Sequence, residues 1–139
     1  MNTSLFTDMN WLAIAVATIV YFFLGAIWYT ALFGKKWIQY QKINVNDPNM
    51  KEGSGVIMFM SFLLMAIAVI CIALLVERMQ LTQALSGIKL GLLTGLGFAI
   101  TAISISYLYV KKPLGLHFID GGYHLAGHIA AGVILCLWQ

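Results

Sequence analysis

Residues 9–34 read MNWLAIAVATIVYFFLGAIWYTALFG, a run of 26 without one ionised side chain. A helix rises 1.5 Å per residue, so ~20 apolar residues cover the ~30 Å of hydrocarbon in a bilayer. Further runs follow: 53–76 has 24 residues, 90–110 has 21, and 121–139 has 19, broken only by His124 and His128. The pattern predicts an all-α, polytopic membrane protein, a four-transmembrane-helix bundle forming a single membrane domain over 1–139. The expected spans lie at about 10–33, 55–76, 89–110 and 119–138, with a short interfacial helix at about 34–43.

Composition agrees. The 139 residues are 61% hydrophobic and 9% charged, with mean hydropathy +0.89, against about 25% charged residues in soluble domains. The longest polar segment, 35–52, is too short to hold a core of its own. A cleaved leader is not expected: residues 1–8 carry Asp8 and no base, and the following apolar run is about twice the length of a signal h-region. The net charge of +3 comes from lysines flanking the spans, with no basic cluster interleaved with aromatics. The lysines belong with lipid headgroups and water, and nucleic acid is not an expected partner. Cys71 and Cys136 fall in apolar stretches without metal-ligand spacing and read as buried small hydrophobes.

Lys35, Lys36, Lys42, Lys51, Lys111 and Lys112 fall in the loops after spans 1 and 3, against Arg78 and Lys89 on the other side. The positive-inside bias puts the lysine-rich loops in the cytoplasm and both termini outside. After span 1, Phe33, Trp37 and Tyr40 share one helical face and Lys35, Gln39 and Lys42 another, which predicts a helix anchored on the membrane surface.

Small residues mark the packing faces. Gly87, Gly91, Gly95 and Ala99 form a stripe along span 3, and Gly122, Ala126 and Ala130 a second on span 4, beside Gly127 and Ala131. Such stripes let helix backbones approach in lipid, within a chain or between copies in a homo-oligomer. On span 1, Gly25 and Trp28 share a face on which Gly25 admits a neighbouring helix.

The polar residues of span 4 are the candidate site. Asp120, His124 and His128 are four apart and so share one face, ~6 Å per step. Ionisable groups at such depth face a bundle interior and find partners. Counting inward from the same end brings Tyr21, Trp28 and Tyr29 of span 1 to that level, with Met58, Ser61 and Met65 of span 2 and Thr101, Ser104 and Tyr107 of span 3. The candidate polar site is therefore Trp28, Tyr29, Asp120, Tyr123, His124 and His128, in the inner half of the bundle. Three uses stay open for the histidines: packing through hydrogen bonds, a relay or ligand-binding wall, or a metal site at His124 and His128. No catalytic motif, phosphate loop or paired carboxylates occur, so neither an enzyme nor a cofactor is indicated.

Asn10-Trp11-Leu12-Ala13, Leu24-Gly25-Ala26-Ile27-Trp28-Tyr29 and Leu32-Phe33-Gly34-Lys35-Lys36-Trp37 resemble the opening of the DUF1761 family, small bacterial four-span membrane proteins of unknown function. Asp120-Gly121-Gly122-Tyr123-His124, Gly132-Val133-Ile134-Leu135 and Trp138 resemble its last helix. The resemblance implies a multi-pass protein of the bacterial inner (cytoplasmic) membrane and a four-helix architecture, with no particular substrate or reaction. The expectation is a self-associating membrane bundle with a small polar site. A small transporter or proton or ion conductor using the histidine face and a metal-binding membrane protein are the alternatives.

Overall fold

The structure, a computed structural model, describes residues 4–139, of Ser4 and Leu5 the backbone only. It is helical, with no strand among the described residues. A short helix α1 (Ser4–Thr7) precedes α2 (Trp11–Ile27). Asn10 caps α2, its side-chain oxygen accepting the Ala13 N–H at 3.0 Å. The helix continues into a π-helical turn, Trp28–Leu32, where the Phe33 N–H donates to the Trp28 carbonyl at 2.9 Å. After Phe33 comes α3 (Gly34–Gln41), and then α4 (Ser54–Met79). Lys42 and Gln80, which end these two helices, are left-handed, with φ 55° and 52°. The next long helix runs as α5 (Ala84–Thr94), a π-helical segment Gly95–Ile100, and α6 (Thr101–Tyr109). Pro113 then opens α7 (Leu114–Leu137).

Three helices are long and apolar enough to cross a membrane: Trp11–Leu32, Ser54–Met79 and Ala84–Tyr109. The expectation of four apolar spans thus resolves into three apolar helices and a different fourth. At 24 residues α7 has the length. His117, Asp120, His124, His128 and its glycines lower its hydropathy. It packs against α2, α3, α4, α5, α6 and the π segment of span 3, and so lies at the centre. The most polar of the long helices is the one the others surround, as expected where polar groups must be kept from lipid.

The helix ends show how the chain alternates. At one end the Asn10 side chain donates to the Trp138 carbonyl at 3.4 Å, and Gln139 to the Leu81 carbonyl at 2.5 Å. At the other, the Lys112 ammonium donates to the Gln41 side chain at 2.7 Å. The two lysine-bearing loops therefore share one end, and α2 and α7 run antiparallel.

The glycines act within the chain. Gly87 abuts the backbone of Gly132, Gly91 the backbone of His128 and Ile129, and Gly95 the side chain and backbone of Leu125. Ala99 beyond them is half-buried. Against α2 the fit is ring into notch: Gly122 faces the Trp28 ring, Gly127 the Tyr21 ring, and Gly25 the Tyr123 hydroxyl. Ala126 and Ala130 are half-buried on the flank of this contact, whereas Gly127 and Ala131 are buried in it.

Packing is unequal along the bundle. Toward the end holding the termini, Ala13, Ala17, Val69, Ile72, Ala131 and Leu135 close into a continuous apolar core. Toward the lysine-bearing end α4 stands off, and residues 51–60 are all exposed.

Several readings need correction. The long helices overrun the expected apolar limits, span 3 beginning at Ala84 and α7 at Leu114, because a helix continues past the hydrocarbon wherever its backbone has no reason to stop. Lys89 is exposed near the start of α5, where its stem can carry the ammonium toward water. The surface helix α3 does more than anchor: its Tyr40 ring lies against Gly115 of α7, and its Trp37 indole reaches Asp120. Cys136 is buried, but Cys71 is exposed, on an outward face of α4.

Candidate functional site

Asp120 is 7% exposed, and three donors from three elements converge on it. Tyr29 of the π turn donates to its Oδ1 at 2.6 Å, and Trp37 of α3 to the same oxygen at 3.0 Å. Tyr107 of α6 donates to Oδ2 at 2.5 Å. The three donors carry no full charge. Such a set suits a carboxylate inside a helix bundle, since each lone pair used offsets part of the loss of water.

Local structure aims these donors. Gly34 lets α3 fold back close to the Tyr29 carbonyl, which would lie 2.6 Å from a side-chain carbon there. That fold brings Trp37 over Asp120. On span 3, Tyr107 lies about 120° from Gly95 by regular α-helical counting, and about 20° once the π segment has absorbed one residue. The π segment thereby returns Tyr107 to the face that meets α7.

One turn further along α7, the Tyr21 hydroxyl meets His124 Nδ1 at 2.5 Å. Another turn along, His128 Nδ1 meets the Thr94 hydroxyl at 2.9 Å. Both imidazoles stand edge-on to the Tyr21 ring, with centroids 5.9 Å away in each case. The Tyr123 hydroxyl donates to the Tyr21 backbone carbonyl at 3.1 Å and lies 3.4 Å from the Met65 sulfur. The Trp28 indole donates to the Ile119 carbonyl at 2.8 Å.

The six residues singled out from the sequence thus lie along one side of α7 and the facing part of span 1. Tyr29 touches Asp120 directly, and Tyr123 and His124 pack with ring centroids 4.8 Å apart. Trp28 packs on Gly122 and Phe33, and the partner of His124 is Tyr21. Of the other residues placed at this depth, Met65 and Tyr107 join the network, while Thr101 bonds back to the Gly97 and Phe98 carbonyls of its own helix.

Trp37, Thr94 and His117 are additions. Thr94 meets His128 near the middle of the bundle. His117 falls in the expected loop, but α7 begins before it. It is buried, its ring lies edge-on to Tyr107 at 5.4 Å, and its Nε2 has no hydrogen-bond partner. The available signal was the need of a membrane-embedded carboxylate for donors, which directs attention to Trp37 and Tyr107 at the same end.

Two cavities adjoin this network. The larger, about 630 Å³, lies between α2, α4 and α7. Tyr21, Tyr123, His124 and His128 line one side, and Ile57, Met58, Ser61, Leu64, Met65 and Ala68 of α4 the other. Several of these α4 side chains are also exposed on the outside, so this wall is open. The second, about 500 Å³, is a more open recess over Asp120 between Trp37, Gln41, Ser106 and Tyr107. Tyr29 and His124 border both. Among the described residues no three His, Cys, Asp or Glu side chains gather as metal ligands.

The network stops at Thr94, whose hydroxyl bonds back to the Leu90 carbonyl at 2.9 Å. Thr18 likewise returns its hydroxyl to the Ile14 carbonyl at 2.8 Å. Beyond them the buried core is apolar.

The sequence matches the model of a family described as a protein of unknown function, DUF1761, over residues 12–136. Neither a curated protein nor a solved structure matches it.

Proposed function

This chain belongs to the DUF1761 family of proteins of unknown function, and on that premise we propose that it is a four-span protein of the bacterial inner membrane that binds a small, largely apolar molecule. Its site lies in the half of the bundle that carries the lysine-rich loops, the half set in the cytoplasmic leaflet by the positive-inside bias, with both termini outside. α7 makes the fourth crossing. Its 24 residues reach ~36 Å, it runs antiparallel to α2, and its polar side chains face other helices rather than lipid.

The observation that carries this reading is the cavity of about 630 Å³ with an apolar α4 wall and a tyrosine–histidine wall. Pockets of ~300–1,000 Å³, mostly apolar with a few placed polar groups, are the usual form of small-molecule sites. The exposed α4 wall gives a lipid-soluble molecule a way in from the bilayer. A conducting role has less support, because the polar groups do not continue past Thr94. The glycine stripe supports packing within the chain rather than self-association, since Gly87, Gly91 and Gly95 are already covered by α7.

The test is binding of an apolar fluorescent dye to the purified protein in nanodiscs. Ala68→Phe fills the cavity from α4 and should abolish saturable binding while the circular dichroism spectrum is unchanged. Equal binding by both proteins would show that the dye, and the reading, belong elsewhere.

A further inference from the structure

We infer that His124 and His128 form a donor–acceptor pair that selects an uncharged, lipid-soluble molecule bearing a hydroxyl group; this rests on reading the cavity as a binding site.

The inference follows from counting protons. A hydroxyl has one to give. That of Thr94 goes to the Leu90 carbonyl at 2.9 Å, with the Gly91 carbonyl at 3.4 Å. Toward His128 Nδ1, Thr94 can therefore only accept, so in the neutral ring the proton sits on Nδ1 and Nε2 is a bare acceptor. At His124 the logic reverses. Tyr21 is 1% exposed, and its hydroxyl has no other acceptor than His124 Nδ1. Leaving that proton unsatisfied in the interior is costly. Tyr21 therefore donates, and neutral His124 carries its own proton on Nε2.

One imidazole thus offers an N–H and the other a lone pair. Neither Nε2 has a protein partner, and neither is among the buried unsatisfied atoms. Both rings border the same cavity. They sit on successive turns, ~6 Å apart along the helix, and two hydrogen bonds of ~2.9 Å meeting at the bent angle of a hydroxyl oxygen span ~5 Å, a difference that small side-chain rotations close. A hydroxyl accepts from His124 and donates to His128. An ether or ketone can only accept and leaves His128 unmatched. No Lys, Arg, Asp or Glu borders the cavity, so a charged head would lack a counter-ion there. The apolar α4 wall takes the remainder of the molecule.

Two measurements test this. In the protein labelled with ¹⁵N-histidine, ring nitrogen shifts should show His124 protonated on Nε2 and His128 on Nδ1. The opposite tautomer at either ring overturns the inference. In dye displacement, 4-nonylphenol should act at a concentration about tenfold lower than its methyl ether, the difference expected for the hydrogen bond to His128 that the ether cannot make. Thr94→Val removes the group that fixes His128 and should bring the two compounds together. If phenol and ether displace the dye equally from the unaltered protein, the inference fails while the cavity reading stands. If neither displaces a dye that Ala68→Phe abolishes, this occupant is wrong and the inference fails with it.

Discussion

Asp120 holds the lysine-bearing end together with a single side chain. Its two oxygens fasten the π turn of span 1, the surface helix α3 and the end of span 3 to α7. Asp120→Ala should cost on the order of 3 kcal/mol, because donors on three elements lose their acceptor at once. Asp120→Asn, which keeps one carbonyl oxygen, should cost less than half as much. Thermal unfolding in detergent distinguishes the two, and equal midpoints would show that the three bonds do not hold the end. Gly127 offers a second test. A methyl group there would collide with the Tyr21 ring, so Gly127→Ala should cost about 1–3 kcal/mol by overpacking, read from the same melts. The spacing of Asp120, His124 and His128 was legible because one helix sets it. Their partners were less so, since Tyr21, Thr94 and Tyr107 lie on other helices and pairing them needs the rotation of each helix about its axis.

At the level of elements, the π segment Gly95–Ile100 is where that rotation became hidden. A sequence reader counts 100° per residue through it, but the backbone does not. Because the segment holds one residue more than an α-helix needs, deleting Gly97 should restore regular helix and leave Tyr107 where it is. Gly97 is exposed and has nothing near its missing side chain, so the deletion should shift the melting midpoint by only a few degrees. Deleting Ile105, beyond the segment, turns Tyr107 off the α7 face and should destabilise at least as much as Tyr107→Phe. If the Gly97 deletion is the more damaging, the segment is not a spacer. Helix α7 begins before the expected span for a related reason. Apolar content marks where lipid begins, while the helix follows its own backbone signal, here Pro113. His117 was lost in the difference.

For the whole molecule, three apolar helices were plain from composition, and the fourth was plain only as a stretch without lysine or arginine. Its central position follows from the other three: they offer lipid-compatible surfaces and α7 does not. Antiparallel crossing of α2 and α7 predicts that cysteines replacing Asn10 and Trp138 cross-link within one chain under mild oxidation, once Cys71 and Cys136 have been changed to serine or alanine. An α7 lying flat on the membrane surface would give no such product. Reporter fusions at residues 46 and 112 should be cytoplasmic, and one at residue 82 outside.

On the function proposed above, the tightly packed end around Ala13, Ala17, Val69, Ile72, Ala131 and Leu135 makes the bundle an insulator. Moving a charge through a transmembrane voltage of about 100 mV is worth ~2.3 kcal/mol, and the apolar cluster at this end offers that charge no polar partner. Cells making this protein in large amounts should therefore hold their membrane potential, as read with a potential-sensitive dye, whether or not the histidine-lined socket at the other end is filled.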